Sequence, residues 1–318
     1  MRVYRYLLSL ILAASSGAAI PALAAAPSPC PHVPSSPCPR KPLVPLSPKA
    51  PCRLVASSPE APAAKIEWIK KIGGCTLMKW KGLDPEQPQE TIVIRDGKNR
   101  TIVRISDEMA NLDYQEDLTA DGVPDVILST FTGGAHCCEV HYVYALGPNP
   151  RCLLVYNMGN VGEFKPASLG EKRTRSILAS YDGFAYFYGP YAFSPVLPMV
   201  LGYRNGRYID VSTSFPQAFA KDRSEAEKRL REALRQAHGR RLPAYDSEAF
   251  SDAVEYYIIL RLTGSRLSAQ QKLFSILPDI DHLLFLHRRT EIERILCERS
   301  ARFLYPPAYS TFKVVYGD

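Results

Sequence analysis

The sequence lacks the patterns that would place it in a common class of enzyme or nucleic-acid binder. It contains no GxSxG, HExxH, P-loop or Rossmann fingerprint, and its eight cysteines include no CxxC pair. The commonest hydrolase, nucleotide, zinc-ribbon and thioredoxin-like sites therefore have no support. Its 39 basic and 32 acidic residues leave a net charge of +7, without the dense basic stripe of a nucleic-acid binder. We expect no nucleic-acid partner.

Long apolar runs are also scarce, because no stretch beyond the N-terminus approaches the twenty residues that a membrane-spanning helix needs. The N-terminus itself has Arg2 and Arg5, an apolar core over residues 7–20 and an Ala-Leu-Ala site at residues 22–24. This order is typical of a cleavable secretory signal. We therefore predict a signal peptide over residues 1–24 and a mature chain without a transmembrane segment, located in the periplasm or outside the cell.

Proline dominates the next segment, residues 25–63. Twelve prolines lie between Pro27 and Pro62. Proline fixes φ and has no amide donor, so the segment cannot continue a helix or the middle of a sheet. The composition predicts an extended, largely disordered spacer.

Short β-branched and aromatic runs separated by turns fill residues 64–217. The strongest hairpin signal is Asp96-Gly97 between two such runs, and Asn205-Gly206 marks another turn. Nine or ten short strands joined by tight turns predict an antiparallel β-domain. Its arrangement is either a sandwich or propeller-blade-like.

Helical periodicity replaces this pattern over residues 218–305. A capping box from Ser224 to Glu227 predicts the start of the first helix. Further helices are expected over residues 247–264, from Ser268, and from Pro278 to about Arg302. The fold class is thus predicted to be α+β, an antiparallel β-domain followed by a C-terminal helical domain, with residues 306–318 as a tail.

One loop in the β-domain carries a metal-binding pattern. Its positions 1, 3, 5 and 9 bear side-chain oxygens, and these are Asp117, Thr119, Asp121 and Asp125. Gly122 at position 6 permits a sharp turn, and Val123 at position 7 can offer its carbonyl. An EF-hand would need a carboxylate at position 12, where Leu128 stands. The pattern predicts one structural calcium ion in a loop that leads into a strand; the alternative is a turn held only by its own Asx hydrogen bonds.

The segment DLTADGVPDV, residues 117–126, resembles the calcium loop of FG-GAP and VCBS repeats, which form the blades of integrin-type propellers. The whole run EDLTADGVPDVILSTFTGGAHCC, residues 116–138, resembles a group of secreted bacterial proteins that pair such a loop with a GGAHCC segment. The resemblance implies that Asp117, Thr119, Asp121 and Asp125 are calcium ligands.

The GGAHCC segment raises a competing hypothesis, because a cysteine beside a histidine can be an activated nucleophile. On that hypothesis the protein is an exported hydrolase or redox enzyme that uses His136 with Cys137 or Cys138. Side chains alternate along a strand, so Cys137 and Cys138 would point apart, and His136 and His141 would make a poor metal pair. We favour a structural role, in which one of the two cysteines bonds to Cys75 or Cys152 and the other is buried.

A run of aromatic residues follows in residues 181–193. As a ligand platform, Tyr186, Tyr188 and Tyr191 would stack on a glycan; the alternative is that the run fills a β-core or braces a turn. Taken together, the sequence predicts an exported, non-enzymatic binding or structural protein with one calcium ion. Its partner is an unknown protein or a glycan.

Overall fold

The computed structural model describes residues 53–55, 64–84, 86, 89–135, 138–170, 173–187, 189–236, 248–305, 310–311 and 313–315. All of them belong to the second of the two units into which the chain divides, residues 1–43 and 44–318. The predicted signal peptide and most of the predicted spacer lie outside the described residues. Residues 53–55, within that spacer, form a short strand, β1 (Arg53–Val55).

The first sheet begins with a meander of four antiparallel strands: β2 (Ala64–Ile72), β3 (Cys75–Gly82), β4 (Glu90–Arg95) and β5 (Thr101–Asp107). The turn between β4 and β5 is closed by Asp96, whose carboxylate accepts the backbone amides of Lys98 and Arg100 at 2.9 Å each. Asn99 adopts a left-handed φ of 62°, which asparagine tolerates. The predicted hairpin at Asp96-Gly97 is therefore confirmed.

Two further meanders follow in chain order. The second contains β6 (Met109–Glu116), β7 (Asp125–Phe131), β8 (Glu139–Ala145) and β9 (Arg151–Gly159). The third contains β10 (Lys165–Ala167), β11 (Ser176–Tyr181), β12 (Leu197–Arg204) and β13 (Arg207–Asp210).

The second sheet lies between the other two and is buried on both faces. Along β7, Val126 and Leu128 belong to the core shared with the first sheet, whereas Ile127 belongs to the core shared with the third sheet. Side chains alternate between faces along a strand, so a strand in a middle layer needs apolar residues on both faces. This explains the unbroken apolar run at residues 126–128.

Four helices follow the sheets: α1 (Ala220–Gln236), α2 (Glu248–Thr263), α3 (Arg266–Phe274) and α4 (Asp279–Glu298). Two predicted starts are wrong. Helix α1 begins four residues before Ser224, since it continues a 3-10 turn over residues 216–219. Helix α3 is capped by Ser265, whose side chain accepts the amide of Ser268. Among the described residues, no helix is long and apolar enough to cross a membrane.

The helices pack on the third sheet. Phe250, Val254 and Tyr257 of α2 are buried in the same apolar core as Val200 of β12. The predicted α+β class, with antiparallel sheets followed by helices, is confirmed. The sheets and helices share this core, so the change of pattern near residue 218 is a change of secondary structure within one packed body.

The end of the chain returns to the sheets. Strand β14 (Phe303–Leu304) pairs with β9, and β15 (Ser310–Thr311) pairs in parallel with β5. Strand β16 (Lys313–Val315) pairs with β1 and lies against β5. The predicted tail therefore supplies short strands that satisfy backbone groups at the sheet edges.

Candidate functional site at the ends of the central sheet

The Asp-rich loop, residues 117–125, connects β6 to β7 and is closed by its own side chains. The Asp117 carboxylate accepts the backbone amides of Asp121 at 3.1 Å and Gly122 at 2.9 Å. Asp121 accepts the amide of Val123 at 2.9 Å. Gly122 has a φ of +85°, a conformation that few side chains allow. These Asx-type bonds fix the shape of the loop.

Asp125, the last residue of the loop, is completely buried. Its Oδ2 accepts the amides of Leu118 and Thr119 at 2.9 Å each. Its Oδ1 and the Thr119 hydroxyl are also buried, and neither forms a hydrogen bond of acceptable geometry among the described residues. Burial raises the pKa of Asp125 to about 6, although the two amides and the nearby Thr119 hydroxyl favour the charged form.

The loop joins all three sheets. The Leu118 carbonyl accepts the backbone amide of Arg175, which precedes β11, at 2.9 Å, and the hydroxyl of Tyr208 from β13 at 3.4 Å. On the other side, Val123 packs so closely on Gly73 of the first sheet that an added Cβ there would lie 3.0 Å from it. Any ligand that orders this loop would therefore stabilise the junction of the three sheets.

The loop has the donor chemistry that calcium prefers, but not an assembled ligand set. Within the described ranges, no three His, Cys, Asp or Glu side chains are grouped so that they could hold a metal ion. Asp117 and Asp121 are engaged with loop amides. Thr119 and Asp125 each retain a buried oxygen without a hydrogen bond in the described part of the chain. Such an oxygen is the group that a hard cation would satisfy.

The GGAHCC segment lies at the other end of β7. The seven residues of that strand separate it from the Asp-rich loop by about 20 Å. His136 and Cys137 lie outside the described residues. Cys138 is in a disulfide bond.

The expected bond from the Cys137–Cys138 pair to Cys75 or Cys152 is wrong, because Cys75 and Cys152 are both free and buried. Both thiols belong to the core between the first and second sheets. Burial raises the pKa of Cys152 to about 12, so its thiol is neutral and unreactive.

His141 on β8 belongs to a cluster that the sequence pattern did not predict. The ring is buried and stacked on Phe164, with centroids 4.1 Å apart. Its Nδ1 lies 3.8 Å from Asp113 and its Nε2 lies 3.5 Å from Glu139. Neither nitrogen has a hydrogen-bond partner among the described residues. The only signal in the sequence is that Glu139 and His141 share a strand face. Asp113 comes from β6, which is separated from β8 by β7.

The aromatic run lies beside the GGAHCC segment. Tyr186 is 46% exposed, and its ring centroid is 5.4 Å from that of Tyr191. The backbone of Asn160 lies near the Tyr191 hydroxyl, and the Asn160 side chain donates to the carbonyl of Ala135 at 2.9 Å. Tyr188 lies outside the described residues. Two of the three predicted platform tyrosines are thus placed together at this end.

Comparison with known proteins gives one short similarity. A probable thylakoid lumen protein of Synechocystis sp. is 29% identical over 117 residues, which is 36% of this chain and 34% of that protein. The match therefore spans about a third of the relative's length. No family model matches the chain, and no solved structure matches it.

Proposed function

We propose that this protein is an exported, non-enzymatic binding or structural protein whose β-domain is stabilised by one calcium ion. The observation that carries the proposal is Asp125, a buried carboxylate with one unsatisfied oxygen, in the loop that joins three sheets. A buried carboxylate with an unsatisfied oxygen is costly when charged, and a bound cation would offset that cost.

The side chains of Asp117, Thr119, Asp121 and Asp125 and the carbonyl of Val123 would hold the ion. When bound, calcium would supply positive charge to the buried carboxylate. The loop itself fixes the strand connection, because its amides already bond to Asp117 and Asp125.

A structural role for the ion is supported by the distance between the two ends of β7. The His and Cys residues of the rival enzyme hypothesis follow the far end of that strand, about 20 Å from the loop. Cys138 is held in a disulfide, so in this oxidised state it has no thiolate to act as a nucleophile.

Export is supported by the signal-like N-terminus and by the name of the similar Synechocystis protein, which refers to the thylakoid lumen. The proposed partner is a protein or a glycan that contacts the exposed ring of Tyr186 and the neighbouring Tyr191. N-terminal sequencing of the mature protein should begin at Ala25. Recovery of a chain that keeps Met1 would contradict export by cleavage.

Thermal unfolding with calcium and with EDTA tests the ion. Millimolar calcium should raise the melting temperature of the wild type by several degrees, and Asp121→Ala should abolish the rise. Asp84→Ala is a matched control, since Asp84 is an exposed aspartate that also accepts the amide two residues on, at 2.9 Å. If the wild type melts identically in calcium and EDTA, the loop is only a turn.

A further inference from the structure

The imidazole of His141 is a buried polar group whose hydrogen bonds are not made. Only 5% of the side chain is exposed, and its ring stacks on Phe164 with the centroids 4.1 Å apart. Neither ring nitrogen has a hydrogen-bond partner among the residues that the structure describes. Buried polar side chains without a partner are rare in folded proteins, because the bonds that they made to water have been lost. This ring is therefore a candidate ligand-binding group.

Two carboxylates flank the ring, one at each nitrogen. Oε1 of Glu139 lies 3.5 Å from Nε2, and Oδ2 of Asp113 lies 3.8 Å from Nδ1. Both distances exceed the length of an N–H···O hydrogen bond, about 2.7–3.2 Å. The carboxylate side chains remain 34% and 25% exposed, so a small ion can reach the ring from their side.

Glu139 and His141 are spaced as a chelate on β8. Side chains two residues apart on a strand point to the same face, and here Oε1 and Nε2 lie 3.5 Å apart. A tetrahedral zinc ion with bonds of about 2.0–2.2 Å sets such an oxygen and nitrogen about 3.4 Å apart. An octahedral ion with bonds of about 2.1 Å sets adjacent ligands only about 3.0 Å apart. The observed spacing therefore matches a tetrahedral ion.

The chemistry of the donors selects the same kind of ion. Imidazole nitrogen suits zinc and other transition metals, whereas calcium and magnesium take oxygen ligands. Over the described ranges, no three His, Cys, Asp or Glu side chains form a group that could hold a metal ion. In that part of the chain the site thus has two protein ligands, and water would complete the tetrahedron.

Asp113 lies at the other ring nitrogen and is a positioning residue. A metal-bound histidine almost always donates its second N–H to a carboxylate, a carbonyl or water, which fixes the tautomer of the ring. Asp113 is itself held in place, because its Oδ1 accepts the hydroxyl of Ser129 at 3.1 Å. Ser129 in turn lies opposite His141 in the register of β7 and β8. Asp113 is therefore placed to hold the proton on Nδ1 and leave Nε2 for the metal.

We propose that Glu139 and His141 bind one zinc ion through Oε1 and Nε2, with Asp113 holding the proton on Nδ1. The ion would give the buried Nε2 the partner that it lacks among the described residues. The site is separate from the Asp-rich loop, since Ser129 follows Asp125 along β7 by about 13 Å. It needs neither calcium nor a partner at the tyrosines, so it goes beyond the proposed function.

Zinc titration of the full-length mature protein, followed by nitrogen NMR of isotopically labelled histidine, tests the proposal. Saturating calcium and alkylation of the exposed Cys297 keep zinc from the Asp-rich loop and from that thiol. We expect zinc to shift the Nε2 resonance of the His141 ring while Nδ1 keeps its proton. His141→Phe, which retains a ring against Phe164, should remove this resonance and so assign it.

Two further positions separate the ligand from the positioning residue. Glu139→Gln keeps the size of a partly exposed side chain and removes its charge, so it should abolish the zinc shift of His141. Asp113→Ala should weaken zinc binding about tenfold and release the proton from Nδ1. Asp113→Asn retains a carbonyl that can accept this proton, so it should restore part of the affinity and the tautomer.

His282 is the matched control. Its ring also stacks on a phenylalanine, Phe274, with the centroids 4.0 Å apart, and a carboxylate of Asp279 lies 3.9 Å from its Nδ1. Its Nε2, however, lies 3.1 Å from the carbonyls of Phe274 and Leu277, so that nitrogen already has partners. His282→Phe should leave the zinc shift of His141 unchanged.

Absence of a zinc shift at His141 in the wild type at millimolar zinc would overturn the proposal. An equal shift in the wild type and Glu139→Gln would also overturn it, because the carboxylate would then not be a ligand. The rise in melting temperature with calcium should be the same in Glu139→Gln and the wild type. Failure of the zinc site and failure of the calcium loop are therefore distinguishable.

Discussion

Replacing Asp125 with asparagine should have opposite effects on stability with and without calcium. The substitution keeps the size of the side chain and a carbonyl oxygen that can accept the amides of Leu118 and Thr119. It removes the buried negative charge. Without a cation that charge is a cost, whereas with calcium it is the main attraction for the ion.

The cost follows from the pKa. Burial raises the pKa of Asp125 from 3.8 to about 6, and one pKa unit corresponds to about 1.4 kcal/mol, so ionisation at pH 7 costs the folded state about 3 kcal/mol. The amide nitrogen of the new side chain would replace Oδ1, which has no hydrogen-bond partner among the described residues. Burying this unsatisfied donor costs about 1–2 kcal/mol and offsets part of the gain in stability. In EDTA, Asp125→Asn should therefore be about 1–2 kcal/mol more stable than the wild type.

Calcium should reverse the order. An ion at about a hundred times its Kd adds roughly 2.7 kcal/mol to the wild type, and the variant should gain nothing. Urea unfolding of both proteins at pH 7, in EDTA and in millimolar calcium, measures the crossing directly. If Asp125→Asn is less stable than the wild type in both conditions, the buried charge is not a cost, and the argument from its burial is wrong.

Three further predictions concern other groups. In EDTA, the Asp125 carboxyl has its pKa raised from 3.8 to about 6 in the folded state, so the folded protein binds this proton more tightly than the unfolded chain does. The free energy of unfolding of the wild type, relative to that of Asp125→Asn, should therefore be greatest below about pH 4. It should fall as the pH rises from about 4 to about 6 and stay level above about pH 6. A constant difference over this range in urea titrations would contradict the assignment. His141→Ala should cost about 3 kcal/mol in urea unfolding because it removes a buried ring, whereas His141→Phe, which keeps the stacking on Phe164, should cost less; equal losses would mean that the stacking is unimportant. In the folded protein, maleimide should label the exposed Cys297 quickly and the buried Cys75 and Cys152 only after unfolding, as peptide mapping would reveal; rapid labelling of either buried thiol would contradict the packing of the core between the first and second sheets.

The parts of the fold that depend on neighbours in sequence were predictable. The turn at Asp96 closes through its own carboxylate and amides two and four residues away. The predicted change from strands to helices near residue 218 depends on local periodicity, and α2 falls at residues 248–263, within the predicted 247–264. The Asp-rich loop likewise takes its shape from hydrogen bonds that span at most seven residues.

Helix starts were less predictable, because competing caps lie close together. Ser224 and Ser268 both have the chemistry of an N-cap. Helix α1 begins before Ser224 because it continues directly from the preceding 3-10 turn. Helix α3 begins before Ser268 because the side chain of Ser265 accepts the backbone amide of Ser268.

The stacking of the three sheets was decided by tertiary structure alone. Long apolar runs indicate burial on two faces but not which sheet covers each face, because that depends on contacts between strands far apart in the chain. The same holds for the cysteines. The burial of Cys75 and Cys152 as free thiols follows from where β3 and β9 meet the core.

The chemistry at the two ends of β7 divides in the same way. The spacing of side-chain oxygens in residues 117–125 can be read from the sequence, because these residues lie close together in the chain. The cluster of Asp113, Glu139 and His141 is not, because Asp113 reaches His141 only through strand pairing across the second sheet. Side chains within a turn are placed by backbone geometry, whereas side chains on different strands are brought together only when those strands pair.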